Sequence, residues 1–369
     1  MKKTTIQWCH STVNPVMGCD GCELWPGKGK IVAELATAII AAGGGQCSTN
    51  IQKSISILIG DLETSQIYAK RTQLAEELGA KFSLNKPARA GLVDVIRKAC
   101  KCYAGLLGTM RAWHKGHASQ FEKPQLFPGR MAEAARWKSP TPHEVQAKPW
   151  LHGNPRMIFI SDMGDALSDV VQFEYLKQEI IEAVDSIAGR DHLWLWLSKR
   201  PARMAEFGQW LLLQGVPWPD NLVAMTTVTS PATANRVAEL RQVPSRFKGL
   251  SCEPVFAELK LNLTGIDWVI MGGGSDALAE PFHVEWALSL RDQCRQADAA
   301  FFLKQLGRNA MFDGQALNLV DQHGGDWTEW PADWRTREIP KPFRNLGTFT
   351  KPSGGAMQQS TMGGLLGSP

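Results

Sequence analysis

His192-Leu193-Trp194-Leu195-Trp196-Leu197 is an unbroken apolar run that stops at Ser198-Lys199-Arg200-Pro201. Six residues is a strand's length. Apolar side chains at every position, not at alternate ones, mean burial on both faces, as in a parallel sheet covered by helices. Residues 202–213 then read as a helix.

The same unit recurs on either side. Met157-Ile158-Phe159-Ile160-Ser161 precedes a helical stripe of Phe173, Leu176, Ile180, Ile181 and Val184. Asn221-Leu222-Val223-Ala224-Met225-Thr226 precedes a helix over 228–240, with Thr229 or Ser230 as cap before Pro231. Further strands are Phe247-Lys248-Gly249-Leu250-Ser251, Asp267-Trp268-Val269-Ile270-Met271-Gly272 and Ala300-Phe301-Phe302-Leu303-Lys304, the last after a helix over 284–296. This rhythm predicts an α/β fold, a partial (β/α)6-type barrel of parallel strands whose first strand lies near 4–8 or 12–16. Residues 23–99 break the rhythm. There, 30–42 and 61–78 look helical, separated by Gly43-Gly44-Gly45 and a β-branched run at 54–59. They predict an inserted, mostly helical subdomain in a barrel built from 1–22 and 100–340. Residues 345–369 are poor in core formers and are expected to be a disordered tail.

Bulk composition narrows the class. A chain of 369 residues, 44% hydrophobic and 21% charged, can bury a real core. Its formal charge of +4, from 40 basic and 36 acidic residues, neither demands nor excludes a nucleic-acid partner. Fourteen Trp against three Tyr suggest indoles in barrel and pocket walls. No run reaches the roughly 20 apolar residues of a membrane span, and the start lacks a secretory pattern. Eight cysteines in this length form no disulfide framework, so a reducing cytoplasmic setting is expected, where clustered thiols bind metal or do redox chemistry.

Polar groups gather where the strands end: Ser161-Asp162 with Asp165, Ser198-Lys199-Arg200, Thr226-Thr227, Ser251-Cys252-Glu253-Pro254, Gly272-Gly273-Gly274-Ser275 and Lys304-Gln305. One such residue is a helix cap. Six successive strand ends on one rim read as an active-site mouth. Cys19-Asp20-Gly21-Cys22 follows the first strand, and Cys100-Lys101-Cys102-Tyr103 follows the insertion. Zinc, an iron–sulfur cluster or a redox dithiol would each use such thiols. The basic stretch 130–148, with Trp137 and Trp150, reads first as a solvated face.

Asn14-Pro15 with Gly18-Cys19, Cys102-Tyr103-Ala104, Lys199-Arg200-Pro201, Leu250-Ser251-Cys252-Glu253-Pro254, Asp267-Trp268-Val269-Ile270-Met271-Gly272-Gly273 and Phe302-Leu303-Lys304-Gln305 together resemble a phage-associated family of radical-SAM-like proteins. The resemblance covers roughly 5–22 and 100–308. It implies a partial barrel, a [4Fe–4S] cluster on three cysteines, and S-adenosylmethionine on the open iron. Cys19, Cys22 and Cys102 are the implied ligands, with Cys100 a rival for the third place. Implied cofactor contacts are Asp162, Asp165, Ser251, Glu253 and Gly272, Gly273 and Gly274, and implied catalytic groups are Lys199, Arg200, Glu253 and Lys304. The implied substrate is a nucleotide or a modified DNA base, rearranged in the (host) cytoplasm with electrons from a flavodoxin-like or chemical donor. Two alternatives stay open: a radical enzyme acting on a peptide or small molecule, and a zinc-stabilised nucleic-acid-binding protein without catalysis.

Overall fold

Seven strands form the main sheet of the computed structural model, which describes residues 4–346 other than 46, 113 and 115. They are β1 (Ser11–Val13), β2 (Arg156–Ile160), β3 (His192–Ser198), β4 (Leu222–Thr227), β5 (Lys248–Cys252), β6 (Trp268–Gly272) and β7 (Ala300–Gln305). All pair in chain order, and every pair is parallel. A doubly wound sheet would reverse its order at a switch point. Here the order never reverses, and the sheet curls into a half-barrel. Six strands follow residue 155 and β1 makes a seventh, one more than the six-unit count. The expected tail beyond residue 346 lies outside the described residues.

Strand alternation sorts the apolar runs into two cores. Trp194, Trp196, Leu222, Ala224, Val269 and Met271 face the covering helices. Leu193, Leu195, Val223, Met225, Trp268 and Ile270 face the concave side, where Trp8, Phe159 and Phe302 fill the bore. Each such side chain contributes about 1.5–3 kcal/mol by leaving water. Continuing the alternation past this plug brings Lys199, Ser251, Glu253 and Lys304 to the concave side at the C-terminal mouth. The open edge of β7 is strapped by residues 336–338. Leu303 N donates to Thr336 O (2.7 Å) and Glu338 N to Phe301 O (2.9 Å). Arg337 is clasped beneath the rings of Trp150 (4.2 Å), Trp327 (4.9 Å) and Trp330 (5.3 Å).

Between β1 and β2 run α1 (Lys28–Ala41), α2 (Ser48–Ile59), α3 (Thr64–Ala69), α4 (Arg71–Lys81), α5 (Lys86–Ala99) and α6 (Tyr103–Arg111). Ile31, Leu35, Ile39, Ile51, Ile55, Leu78 and Ile96 give these helices a core of their own, which continues to Cys19, Trp25 and Cys100. The run at 54–59 is part of α2 and not an extended spacer: Ile51, Ile55 and Ile59 recur every fourth residue and bury one stripe. The span 61–78 divides into two helices at Lys70. Helix α5 starts on Asn85, whose side chain accepts from Ala88 N (2.9 Å). It ends with Arg97 and Lys98 in its last turn, where cations suit the helix dipole. Among the described residues no helix is long and apolar enough to cross a membrane.

Candidate metal centre

Gly18 turns the chain into the cysteine loop with φ +93°, and a Cβ there would lie 2.6 Å from the Phe121 carbonyl. Only glycine fits. Cys19 N donates to that carbonyl (2.8 Å), and Asp165 N donates to Gly18 O (3.1 Å), so the loop lies on the turn that follows β2. Cys22 and Trp25 exchange both backbone hydrogen bonds (3.2 and 3.1 Å). The Leu24 carbonyl between them accepts from Lys101 N and from Cys102 N, both at 2.9 Å. The helical insertion therefore leaves and returns at one peptide, and Cys102 comes back beside Cys22. Burial pushes the Cys19 thiol up to about 12, and the Asp165 carboxylate and the sulfurs of Cys22 and Cys102 add to the rise. Cys100 is 1% exposed within the helical core, where burial and then the Glu122 and Glu34 carboxylates and the Cys102 sulfur push it up to about 12.

Asp165 and Arg200 are used to hold this arrangement. The buried Asp165 carboxylate accepts from Ser198 Oγ (2.8 and 2.9 Å), Lys199 N (3.1 Å) and Leu167 N (3.0 Å), binding the ends of β2 and β3 together. Arg200 donates to Asp20, to Gly21 O (3.1 Å) and to Asp169 (3.4 Å), so its guanidinium clasps the Cys19–Cys22 loop. The adjacent Lys199 differs. Burial works to lower its pKa, but Cys22, Cys102, Asp165 and Glu23 outweigh it and hold the ammonium above its usual range. Glu23 is itself gripped by Arg236 through two 2.8 Å bonds.

Inside the mouth, Asn14 clamps the turn after β2: its Oδ1 accepts from Met163 N (2.9 Å) and its Nδ2 donates to Asp162. Tyr103 reaches across from α6, half exposed as a residue, with its hydroxyl donating to Asp162 O (2.5 Å). Ser161 is 4% exposed with φ +73°, and its hydroxyl has no hydrogen-bond partner among the described residues. Glu253 and Lys304 form an ion pair, each 16% exposed. Lys304 stands where the β6–β7 register shifts, and such a bulge re-aims a side chain. Ser251 is buried at the end of β5. Gly272, Gly273 and Gly274 have a packing reason of their own: a Cβ on Gly273 would meet Leu306 O at 2.4 Å, and one on Gly272 or Gly274 would press Gln305 or Ala279 at 3.2 Å. Their close approach is to the chain itself. Sequence reasoning missed the roles of Tyr103, Asn14 and Glu23, which depend on contacts far apart in the chain.

Cys19, Cys22 and Cys102 lie near enough for each sulfur to act on the titration of another, so they are the thiols a metal or cluster would use. A single ion draws its sulfurs to within about 4 Å of one another, given metal–sulfur bonds of about 2.3 Å. Among the described residues no group of three or more His, Cys, Asp or Glu side chains that could hold a metal ion is found.

A family model described as "Protein of unknown function (DUF5131)" matches residues 90–339. No curated protein and no solved structure matches the chain. The matched span holds β2–β7, the strap and Cys102, and leaves Cys19 and Cys22 outside.

Proposed function

The chain belongs to the DUF5131 family, whose description assigns no function, and on the geometry of its own residues we propose that it is a radical S-adenosylmethionine enzyme. One observation supports the reading: the Cys19–Cys22 loop and Cys102 are tied by backbone hydrogen bonds at the C-terminal mouth of a parallel half-barrel, with their sulfurs close enough to interact, while Cys100 is buried in the helical core. Those three thiols would hold a [4Fe–4S] cluster. When bound, it would supply the electron that splits S-adenosylmethionine into methionine and a 5′-deoxyadenosyl radical.

This chain's residues do the rest. Arg200 and Asp20 keep the loop in place, and Lys199 offsets charge at the sulfurs. Glu253 and Lys304 present a carboxylate beside an ammonium, complementary to the ammonium and carboxylate of an amino acid. The apolar plug beneath them keeps water out of the bore. Arg200 is engaged with the loop and Lys304 with Glu253, so a ligand's anion would meet Lys199 or compete with Glu253 for Lys304. We assign the substrate to nucleotides or DNA bases and the electron donor to a flavodoxin-like protein, in the cytoplasm, where thiols stay reduced.

The test is anaerobic reconstitution. The protein should take up about four irons with sulfide and form 5′-deoxyadenosine from S-adenosylmethionine under reduction. Cys19→Ala, Cys22→Ala and Cys102→Ala should each lose the iron, and Cys100→Ala should keep it. Iron retained in Cys102→Ala and lost in Cys100→Ala would move the third ligand. A fully loaded protein that never forms 5′-deoxyadenosine would end the enzyme reading.

A further inference from the structure

A cleft of about 110 Å³ runs from the barrel rim along the helical insertion. One wall is Arg97, Lys98 and Lys101, from the end of α5 and the residues after it. The other is Pro254, Val255 and Phe256, directly after Glu253, with the 276–280 loop that follows β6. Its lining residues Pro254 and Lys101 are the chain neighbours of Glu253 and Cys102. The cleft is roomy enough for a phosphate group with ordered water.

Charge fills the cleft in a particular way. Lys101 Nζ crosses it to donate to Glu280 Oε1 at 2.9 Å and also rests 4.5 Å over the Phe256 ring. The bond to Lys101 holds the Glu280 carboxyl below its usual range, and Lys98 acts in the same direction. Lys101 from the insertion thus spans the cleft to a carboxylate from the barrel, and Lys98 lines the same cleft. Both partners of the ion pair remain open to solvent, at 29% and 42% exposure, so the pair holds the two walls together only weakly. A dianionic or polyanionic oxygen acid would compete for the same donors.

Resting on the nucleic-acid reading above, we infer that Lys98 and Lys101 form a phosphate seat for single-stranded DNA beside the barrel mouth, and that Glu280 occupies this seat until DNA displaces it. The substrate's reacting base would enter the bore while its neighbouring phosphodiester rests on the insertion. Lys101 adjoins Cys102, so strand and thiol are brought to the same turn of chain.

The experiment titrates the full chain, purified anaerobically, into a labelled ten-nucleotide single strand, with fluorescence anisotropy read at several salt concentrations. Glu280→Gln should tighten binding several-fold. The double variant Lys98→Gln/Lys101→Gln should weaken it at least tenfold and flatten the log–log salt slope by about 1.4, at about 0.7 per lost single-strand phosphate contact. Both changes lie on the surface, and unchanged circular dichroism and melting would confirm intact folds. Inorganic phosphate, the other source of the same chemistry, should compete only weakly. Binding that ignores both variants, or that Glu280→Gln weakens, overturns the seat. So does inorganic phosphate binding as tightly as the oligonucleotide. None of these outcomes touches iron content or 5′-deoxyadenosine formation, so this inference can fail while the enzyme reading stands.

Discussion

Ser161 holds a left-handed backbone, φ +73°, that costs a side-chain-bearing residue about 1–2 kcal/mol. Its hydroxyl is buried without a partner, a second expense at one position. Strain and an orphaned polar atom at a strand end are the marks of a group kept for a ligand. Ser161→Gly should therefore raise unfolding stability by about 1 kcal/mol in a urea titration while weakening S-adenosylmethionine binding. Affinity unchanged alongside the stability gain would strip the hydroxyl of a binding role. None of this was legible in Ser161-Asp162-Met163-Gly164-Asp165, because a dihedral angle leaves no letter. Lys199 and Arg200 make the same point. They are adjacent cations in the sequence, but only the fold shows that Arg200 is engaged with Asp20 and Asp169.

Helix α6 is seated on the cysteine loop through two glycines. A Cβ on Gly105 would lie 2.4 Å from the Trp25 ring, and one on Gly108 would lie 2.7 Å from Phe121. Gly105→Ala should cost about 1–3 kcal/mol by overpacking. It should also push the start of α6 away from Leu24, lowering iron uptake measured at equal protein. Strands of the barrel were readable because burial on both faces leaves unbroken apolar runs. Helix α2 was misread at 54–59, where β-branched content was weighed above the four-residue recurrence of Ile51, Ile55 and Ile59. Tertiary burial of that stripe overrides a weak local preference.

Across the whole molecule, acid should loosen the base of the barrel in two stages. His10 is buried, its Nδ1 accepting from Met157 N (2.9 Å); burial, with Arg156 and Lys148 nearby, lowers its pKa to about 4 from 6.5. Being depressed, it favours folding fully above 6.5, and that contribution is lost as pH falls toward 4. Glu144 pairs with the fully buried Arg156 (3.0 and 3.1 Å), which also donates to Ser11 Oγ (2.9 Å); these bonds depress the carboxyl to about 2 from 4.5. Its contribution is present above 4.5 and is lost as pH falls through 2. Stability measured by denaturant should thus decline from about pH 6.5 downward, at up to about 1.4 kcal/mol per unit for His10 alone. Glu144→Gln should cost about 1.5–3 kcal/mol at neutral pH, because Arg156 loses its charged partner while keeping the Lys138 and Ser139 carbonyls and Ser11 Oγ. It should also remove the lower stage of the decline.

The Leu24 carbonyl that receives both Lys101 and Cys102 has a consequence for how such chains can be cut and joined. Everything between Trp25 and Lys101 is a cassette with coincident ends, so its length is not coupled to the spacing of the thiols in space. A fixed-gap text pattern for three cysteines would pass over this site. Two short words, Cys-x-x-Cys and Cys-Tyr-Ala, at any separation, describe it better. Splicing a short turn in place of the cassette offers a direct trial of that modularity. A grafted chain that still loads iron but no longer grips single-stranded DNA would divide the molecule into a chemical half and a recognition half.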